Sequence, residues 1–522
     1  MKTLLERLLA YYEISEEDYA SLTKPVSEDD FFSGHSFKDM DECVRVVKEA
    51  MLNHKKIFIY GDYDTDGIMA VSILVKMFSY LNYPVDYHIP NRYSDGYGLT
   101  RKWSEEIVNN GYDLLITVDN GITAFEGIEY AKKSGLQVLI FDHHQAAEEL
   151  PVADYILHPQ VSGFGETVTS AGFVTFMFSY YFLNRYDQYL ATLGAISVVS
   201  DMMPLVDYNR NLLRLVISQY QNHHFLAIDL LKEKEPFNAT TIGMKISPKI
   251  NSIGRLIDDD SLIMRVVEFF TSDDRSLLLN YNEWINSVNN ERKEVSKTAS
   301  EEVKDIDANR SAIIGIIAQK EGVIGLIANF LVKKYNKPVI IFAPDQSGLC
   351  YKGSARSPNG FNIVDAFHQI GEELIENFGG HANAGGCTVK IANFDAFKNA
   401  FYALADSYKP ATKEEKKPIP LYIKEITFEN YELIESFAPF GEGWREPKFV
   451  LPRIRVASLF YSRDSKHILT PIGNNSRLTG FNFPKDSLKE YQFIDMIGTI
   501  RTSAFYGNLS LEFFINEINE TD

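Results

Sequence analysis

The stretch that decides the fold is Lys56-Ile57-Phe58-Ile59-Tyr60-Gly61-Asp62-Tyr63-Asp64-Thr65-Asp66-Gly67. Its first half is a short β-branched and aromatic run of the kind that fills a strand buried on both faces, and its second half leaves that strand through glycine and three aspartates. Two further runs of the same type, Leu114–Val118 and Val138–Phe141, each follow turn residues and a helical stretch. Continuous apolar strands alternating with helices predict a parallel sheet covered on both faces.

The aspartates at 62, 64 and 66 stand at i, i+2 and i+4. In an extended segment that spacing places all three carboxylates on one side, a crowding that is costly without counter-charge and invites divalent cations. A solvated acidic turn is the alternative for this segment alone. The other strand ends weigh against it: Asp119 follows Leu114–Val118, Asp142-His143-His144 follows Val138–Phe141, and Asp201 closes the mostly apolar Leu193–Val199. Side chains beyond the carboxyl edge of parallel strands converge. Aspartate with neutral histidine is the ligand set of a hard-to-borderline ion such as Mn²⁺ or Mg²⁺. One carboxylate can bridge two such ions about 3.5–4 Å apart.

Chain length and composition frame this site. The 522 residues suffice for several cores, and 45% apolar with 24% charged residues is an ordinary globular composition. The 52 Lys+Arg against 71 Asp+Glu leave a net charge of −19, which argues against a DNA-coating protein. A polyanion must therefore be met by local arginines or by bound cations. Cys43, Cys350 and Cys387 form no metal or disulfide pattern, and the charged start Met1–Arg7 lacks the apolar stretch of a signal peptide. The run Phe173–Leu183 is too short to span a bilayer. A cytoplasmic location without membrane contact is expected.

The chain divides, on pattern, into an N-terminal helical segment 1–54, an α/β metal-binding domain 55–272, and a connecting helix 273–306 with Leu278, Tyr281, Ile285 and Val288 on one stripe. A second α/β domain, 307–409, ends in a Gly-rich turn and a strand near Thr388–Ile391. The Pro- and charge-rich stretch 410–420 reads as a linker, and about five short strands in 421–522 suggest a small barrel of the OB type.

The order Gly61–Gly67, Val118-Asp119-Asn120-Gly121, Asp142-His143-His144 and Ser200-Asp201 resembles the DHH phosphoesterase superfamily. Further matches resemble its RecJ branch of single-strand-specific 5′→3′ DNA exonucleases: Pro90-Asn91-Arg92 with Gly96-Tyr97-Gly98-Leu99, Asn251–Leu256, Gly353–Ser357, Gly379–Gly386, and Phe440-Gly441-Glu442-Gly443. The likeness spans nearly the whole chain. It implies a parallel-sheet DHH domain joined by a long helix to a smaller α/β DHH-associated domain, with a C-terminal OB-type barrel.

The resemblance further implies metal ligation by Asp64, Asp66, Asp119, His143 and Asp201, with Asp119 bridging and His144 facing the substrate. Arg92, Arg255, Ser354, Arg356 and His381 fall on positions that contact the scissile phosphate or the nucleic-acid backbone in the family. Many relatives carry a histidine ligand where Tyr60 stands, so one ion would lean on Asp62 or on water instead. A usual histidine near Lys320 and a Ser-Arg pair near Asn329-Phe330 are also replaced. The expectation is a two-metal, Mn²⁺- or Mg²⁺-dependent exonuclease on single-stranded DNA, acting as a monomer beside repair or replication proteins. Phe460, Tyr461 and Phe481 are candidates for stacking on bases. The rivals are a phosphodiesterase on short oligonucleotides or cyclic dinucleotides, and a DNA-binding scaffold of weak catalysis.

Overall fold

The computed structural model describes residues 2–521 except 33–36, 93, 96–97, 165–167, 303–308, 318–320, 346, 359, 409–415, 474 and 506–507. Gly96-Tyr97, Lys320 and the first part of the expected linker therefore lie outside the described residues. The chain divides into two compact units, one of residues 32–203 with 216–413, the other of residues 1–31, 204–215 and 414–522.

The larger unit opens with β1 (Ile57–Tyr60), β2 (Asp86–His88), β3 (Leu114–Val118), β4 (Gln137–Phe141) and β5 (Tyr155–Leu157), arranged β2-β1-β3-β4-β5 with every pair parallel. All four residues of β1 and all five of β3 are buried, as two-sided helix cover requires. The cover includes the helix Thr65–Tyr80, buried over most of its length, and Ala171–Leu183. The latter is the long apolar run of the sequence, and it is short because it spans a core. Among the described residues no helix is long and apolar enough to cross a membrane.

Within the same unit the helix Arg275–Glu302 buries Leu278, Ile285 and Val288, while the hydroxyl of Tyr281 donates to Glu268. A second sheet follows: β6 (Ile313–Ile316), β7 (Val339–Pro344), β8 (Cys350–Arg356), β9 (Asn377–His381) and β10 (Ala384–Lys390), in the order β6-β7-β8-β10-β9. Only β6 and β7 pair in parallel. The expected Gly-rich turn is thus corrected: Gly379–Gly386 is a β-hairpin, whose ladder pairs Gly385 with Gly380 and Gly386 with Gly379. Glycines are required there by close approach, since a β-carbon at Gly380 (φ 133°) would sit 2.4 Å from the Ala384 carbonyl oxygen. The helix Ile363–Ile370 of this domain ends where Gly371 (φ 85°) breaks it.

The smaller unit holds β11 (Ile419–Pro420), β12 (Phe449–Arg455), β13 (Ile468–Pro471), β14 (Ser476–Gly480), β15 (Phe493–Phe505) and β16 (Asn508–Glu520), in the order β11-β12-β15-β16-β14-β13. The segment read as one N-terminal piece, 1–54, is divided between the units. The helix Leu4–Tyr12 buries Leu4, Leu8 and Leu9 among Leu421, Phe437, Phe449 and Leu451, and Tyr12 stacks on Trp444 at 4.3 Å. An amphipathic helix must bury its stripe somewhere, and the stripe alone does not name the surface. Arg210 brings residues 204–215 into this unit: it is buried and donates to the carbonyl oxygens of Phe437, Ala438 and Pro439, each at 2.8 Å.

Candidate metal centre

The chain leaves β1 at Gly61, and the helix begins at Thr65 with Asp64 as its N-cap, accepting from the Gly67 N–H at 3.1 Å. The extended geometry expected for residues 62–66 is therefore corrected. Asp62 lies in the loop, Asp64 caps the helix and Asp66 sits in its first turn, so the three carboxylates separate into two groups. A β-carbon at Gly67 would stand 2.6 Å from the Asp62 carbonyl oxygen, so this tight turn requires glycine. Asn251, on the helix Ser247–Leu256, accepts from the Thr65 N–H at 2.8 Å and from the Thr65 hydroxyl at 2.9 Å, holding the turn from outside.

Asp66 is buried and accepts from the N–H groups of Ala171 (2.9 Å) and Gly172 (2.8 Å) and from the Ser197 hydroxyl (2.5 Å). Two of these donors are the free N–H groups opening the helix Ala171–Leu183, a natural seat for a carboxylate. Asp119 follows β3 with φ 60°, its N–H donating to the Phe141 carbonyl oxygen at 3.0 Å. The amide of the next residue, Asn120, donates to the carbonyl oxygens of Gly61 and Val118 at 2.9 Å each, tying the ends of β1 and β3 together.

After β4, Asp142 accepts from the N–H groups of Ile122 and His143 and from His144 Nδ1 at 2.8 Å, so it orients His144. His158 Nε2 lies 2.7 Å from the His144 carbonyl oxygen, and its Nδ1 accepts from the Gln160 N–H, so Nε2 is the donor. His143 Nε2 lies 3.2 Å from Asp119, 3.5 Å from Asp66 and 3.5 Å from Asp201, which follows the helix Gln188–Ser200. Asp66, His143 and Asp201 thus make one potential ligand group, and Asp62, Asp64 and Asp119 a second. Each has three ligand atoms within 4.8 Å of one another.

The electrostatics of this cluster call for positive charge. Burial, then the neighbouring carboxylates, pushes Asp119 well above the ordinary aspartate range, and the same causes raise Asp62 to about 7 and Asp201 to about 8. Burial lowers His143, keeping it a neutral nitrogen donor. His144 behaves oppositely: burial opposes its charge, but the bond to Asp142 outweighs this and raises it to about 9. Asp119 Oδ1 is buried without a hydrogen-bond partner, an acceptor where a cation would satisfy it. Tyr60, by contrast, is buried in the apolar core with its hydroxyl donating to the Gly98 carbonyl oxygen.

Basic side chains face the cluster. Arg92 stacks on Tyr63 at 4.1 Å and donates to the Gly254 carbonyl oxygen, and Arg255 donates to that of Gly322. Arg356 donates to Ser354 Oγ at 3.0 Å. These residues line one open cavity of about 1010 Å³ together with His144, Gly379 and Gly380. Burial, then Arg92 and Arg356, brings Arg255 down to about 10. His381 ends β9 opposite Ala384. Asn329 and Phe330 are exposed on the helix Glu321–Tyr335. In the smaller unit Phe460 and Phe481 are exposed and Tyr461 is half-buried.

Sequence patterning did not single out Asn251, Ser197 or His158 for the roles they take. Ser170 before an apolar run marks a helix start, but nothing local ties that start to Asp66.

Three family models match the chain: the DHH family N-terminal domain over residues 56–198, the DHHA1 domain over 309–406 and the RecJ OB domain over 419–517. The single-stranded-DNA-specific exonuclease RecJ of Haemophilus influenzae is 30% identical over 78% of this chain and 77% of its own length. RecJ of Bacillus subtilis is 29% identical over 93% of this chain, which spans 64% of that relative. RecJ of Thermus thermophilus in complex with Mn²⁺ shares the fold, with a TM-score of 0.84 at 21% identity, covering 100% of this chain and 79% of its own; its Mg²⁺ complex has a TM-score of 0.77 at 20% identity, covering 100% and 78%.

Proposed function

The chain belongs to the RecJ family, and we propose that it is a divalent-metal-dependent exonuclease that hydrolyses single-stranded DNA from its 5′ end to mononucleotides. The observation that carries this is Asp119, whose buried Oδ1 lacks a hydrogen-bond partner, in a ligand group with Asp62 and Asp64 and 3.2 Å from His143 of the other group, while His144 of the same cluster lines a cavity walled by three arginines. Asp66, His143 and Asp201 would hold one ion, Asp62 and Asp64 the other, with Asp119 common to both. When bound, two Mn²⁺ or Mg²⁺ ions supply an activated water and neutralise charge on the phosphate.

The chain's own residues do the rest. Arg92, Arg255 and Arg356 offer planar donors to phosphate oxygens, and Ser354 adds a hydroxyl. The bond to Asp142 fixes His144 through Nδ1 and favours its charged form, in which Nε2 carries a proton. That N–H is placed to donate to an oxygen of the reacting phosphate. Asn251 and Asn120 keep the Asp62–Asp66 turn and Asp119 in register. The same reading makes the protein a cytoplasmic monomer in DNA repair and recombination, with the aromatics of the barrel stacking on bases.

The test is digestion of single-stranded DNA labelled at either end, with Mn²⁺, and with duplex DNA, a dinucleotide and Asp119→Ala as controls. Mononucleotides from the 5′ end, lost in the variant, are expected. Cleavage of the dinucleotide alone would make it an oligonucleotide phosphodiesterase, and binding without cleavage a scaffold.

A further inference from the structure

Between Asp62 and Asp64 stands a residue that neither ligand group uses. Tyr63 is half-buried, and its N–H donates to Asp62 Oδ1 at 2.7 Å. The loop around it packs on the helix Ser247–Leu256: a β-carbon at Gly254 would stand 2.4 Å from the Tyr63 carbonyl oxygen and 3.2 Å from Tyr63 Cβ, so glycine lets helix and loop come that close. Three residues earlier on this helix Asn251 takes the Thr65 donors, and the residue after Gly254 is Arg255 of the arginine wall. These backbone and Asn251 contacts hold the loop without the Tyr63 ring, and Tyr63 lines the cavity.

The ring meets Arg92. Arg92 Cζ lies 4.1 Å from the ring centroid, inside the about 6 Å limit of a cation–π contact, and Arg92 Nε donates to the Gly254 carbonyl oxygen at 3.2 Å. The hydrogen bond ties one edge of the guanidinium to the helix, and the ring settles which way its plane lies. Burial holds the Tyr63 hydroxyl above its ordinary range although the charges of Arg92 and Arg255 pull it down, so both cations act on this side chain. A long, rotamer-rich arginine becomes a planar donor of set orientation only when edge and face are both held.

We propose that Tyr63 is a positioning residue for Arg92: its ring orients the guanidinium that meets the phosphate, while the loop on which it stands carries Asp62 and Asp64. The proposal rests on the exonuclease function above. One loop then sets both the ligands of one ion and the plane of the arginine, so the phosphate is gripped in register with the ions. An aliphatic side chain at 63 fills space but offers no π face, and Arg92 would keep only its bond to Gly254.

A double-mutant cycle tests it, with wild type, Tyr63→Leu, Arg92→Met and the double variant, and with Tyr63→Phe as the conservative change. Each is read as kcat/KM on a single-stranded 20-mer with Mn²⁺, and as Kd for the same strand by fluorescence anisotropy with Ca²⁺ in place of Mn²⁺. Tyr63→Leu worsens both about fivefold, the loss of one partly buried cation–π contact, and Tyr63→Phe, which keeps the ring, stays within about twofold of wild type. Arg92→Met loses more, and adding Tyr63→Leu to it changes neither value by more than about 1.5-fold. Tyr63→Met, a second change that removes the ring, gives the same coupling. The Mn²⁺ concentration for half-maximal rate does not move in Tyr63→Leu, because Asn251 and the Gly67 N–H still hold the loop. Equal losses from Tyr63→Leu with and without Arg92, a raised Mn²⁺ requirement, or a Tyr63→Phe as impaired as Tyr63→Leu overturns the positioning role. A wild-type chain that binds the strand without cutting it overturns the exonuclease function, while the Kd cycle still decides the role of Tyr63; one that neither binds nor cuts overturns both.

Discussion

Ser197→Ala isolates the support of one ligand from the ligand itself. Ser197 gives Asp66 one of its three hydrogen bonds, at 2.5 Å, while the N–H groups of Ala171 and Gly172 remain in the variant. A hydrogen bond to a charged group is worth about 1.5–3 kcal/mol, and loss of a group that orients a metal ligand costs about 10- to 100-fold in affinity. With two donors left the lower end applies, so the Mn²⁺ concentration giving half-maximal nuclease rate should rise about tenfold. The rate at saturating Mn²⁺ should stay within about threefold, because no group touching the substrate has changed. Ser179→Ala is the control: Ser179 is equally buried, but its hydroxyl donates to the Phe176 carbonyl oxygen, within its own helix. That variant should lose some stability and leave the Mn²⁺ requirement unchanged. An unchanged Mn²⁺ requirement in Ser197→Ala would refute the reasoning that Asp66 holds an ion and that Ser197 aims it.

In the metal-free protein Asp62 and Asp201 titrate at about 7 and about 8 rather than near 4, and His144 at about 9 rather than 6.5, so the folded chain binds more protons than the unfolded one above about pH 6.5. The stability these groups contribute is present below their unfolded values and is lost as pH rises through the folded ones. Thermal unfolding in EDTA should therefore show a lower Tm at about pH 8 than at about pH 6.5, and Mn²⁺ should raise Tm more at the higher pH. In the smaller unit, Arg210→Met leaves three carbonyl oxygens without their donor and should cost about 3 kcal/mol, read as faster limited proteolysis within residues 414–522.

Much of the catalytic lobe was legible in the sequence because its evidence is local. A buried parallel strand is a contiguous apolar run, and Asp119 and Asp142 stand directly after two of them, so position at the sheet edge follows from the pattern. Asp201 was found in the same way, at the end of an apolar helix. Asp62, Asp64 and Asp66 do not follow the period of an extended chain because a helix starts among them, and Asp64 is itself the N-cap residue that signals one. The partners of Asp66 are 105 to 131 residues away along the chain, and those of the Leu4–Tyr12 stripe lie beyond residue 400; such pairings depend on tertiary packing that no local period encodes. The glycines of 379–386 read as a turn because glycine marks turns, whereas here they permit a close hairpin.

The most direct measurement of the two-ion site is anomalous scattering at the manganese edge from crystals soaked in Mn²⁺. Two peaks about 3.5–4 Å apart are predicted, one beside Asp66, His143 and Asp201, the other beside Asp62 and Asp64, with Asp119 in contact with both. A single peak, or a pair that does not share Asp119, would contradict the two-metal account.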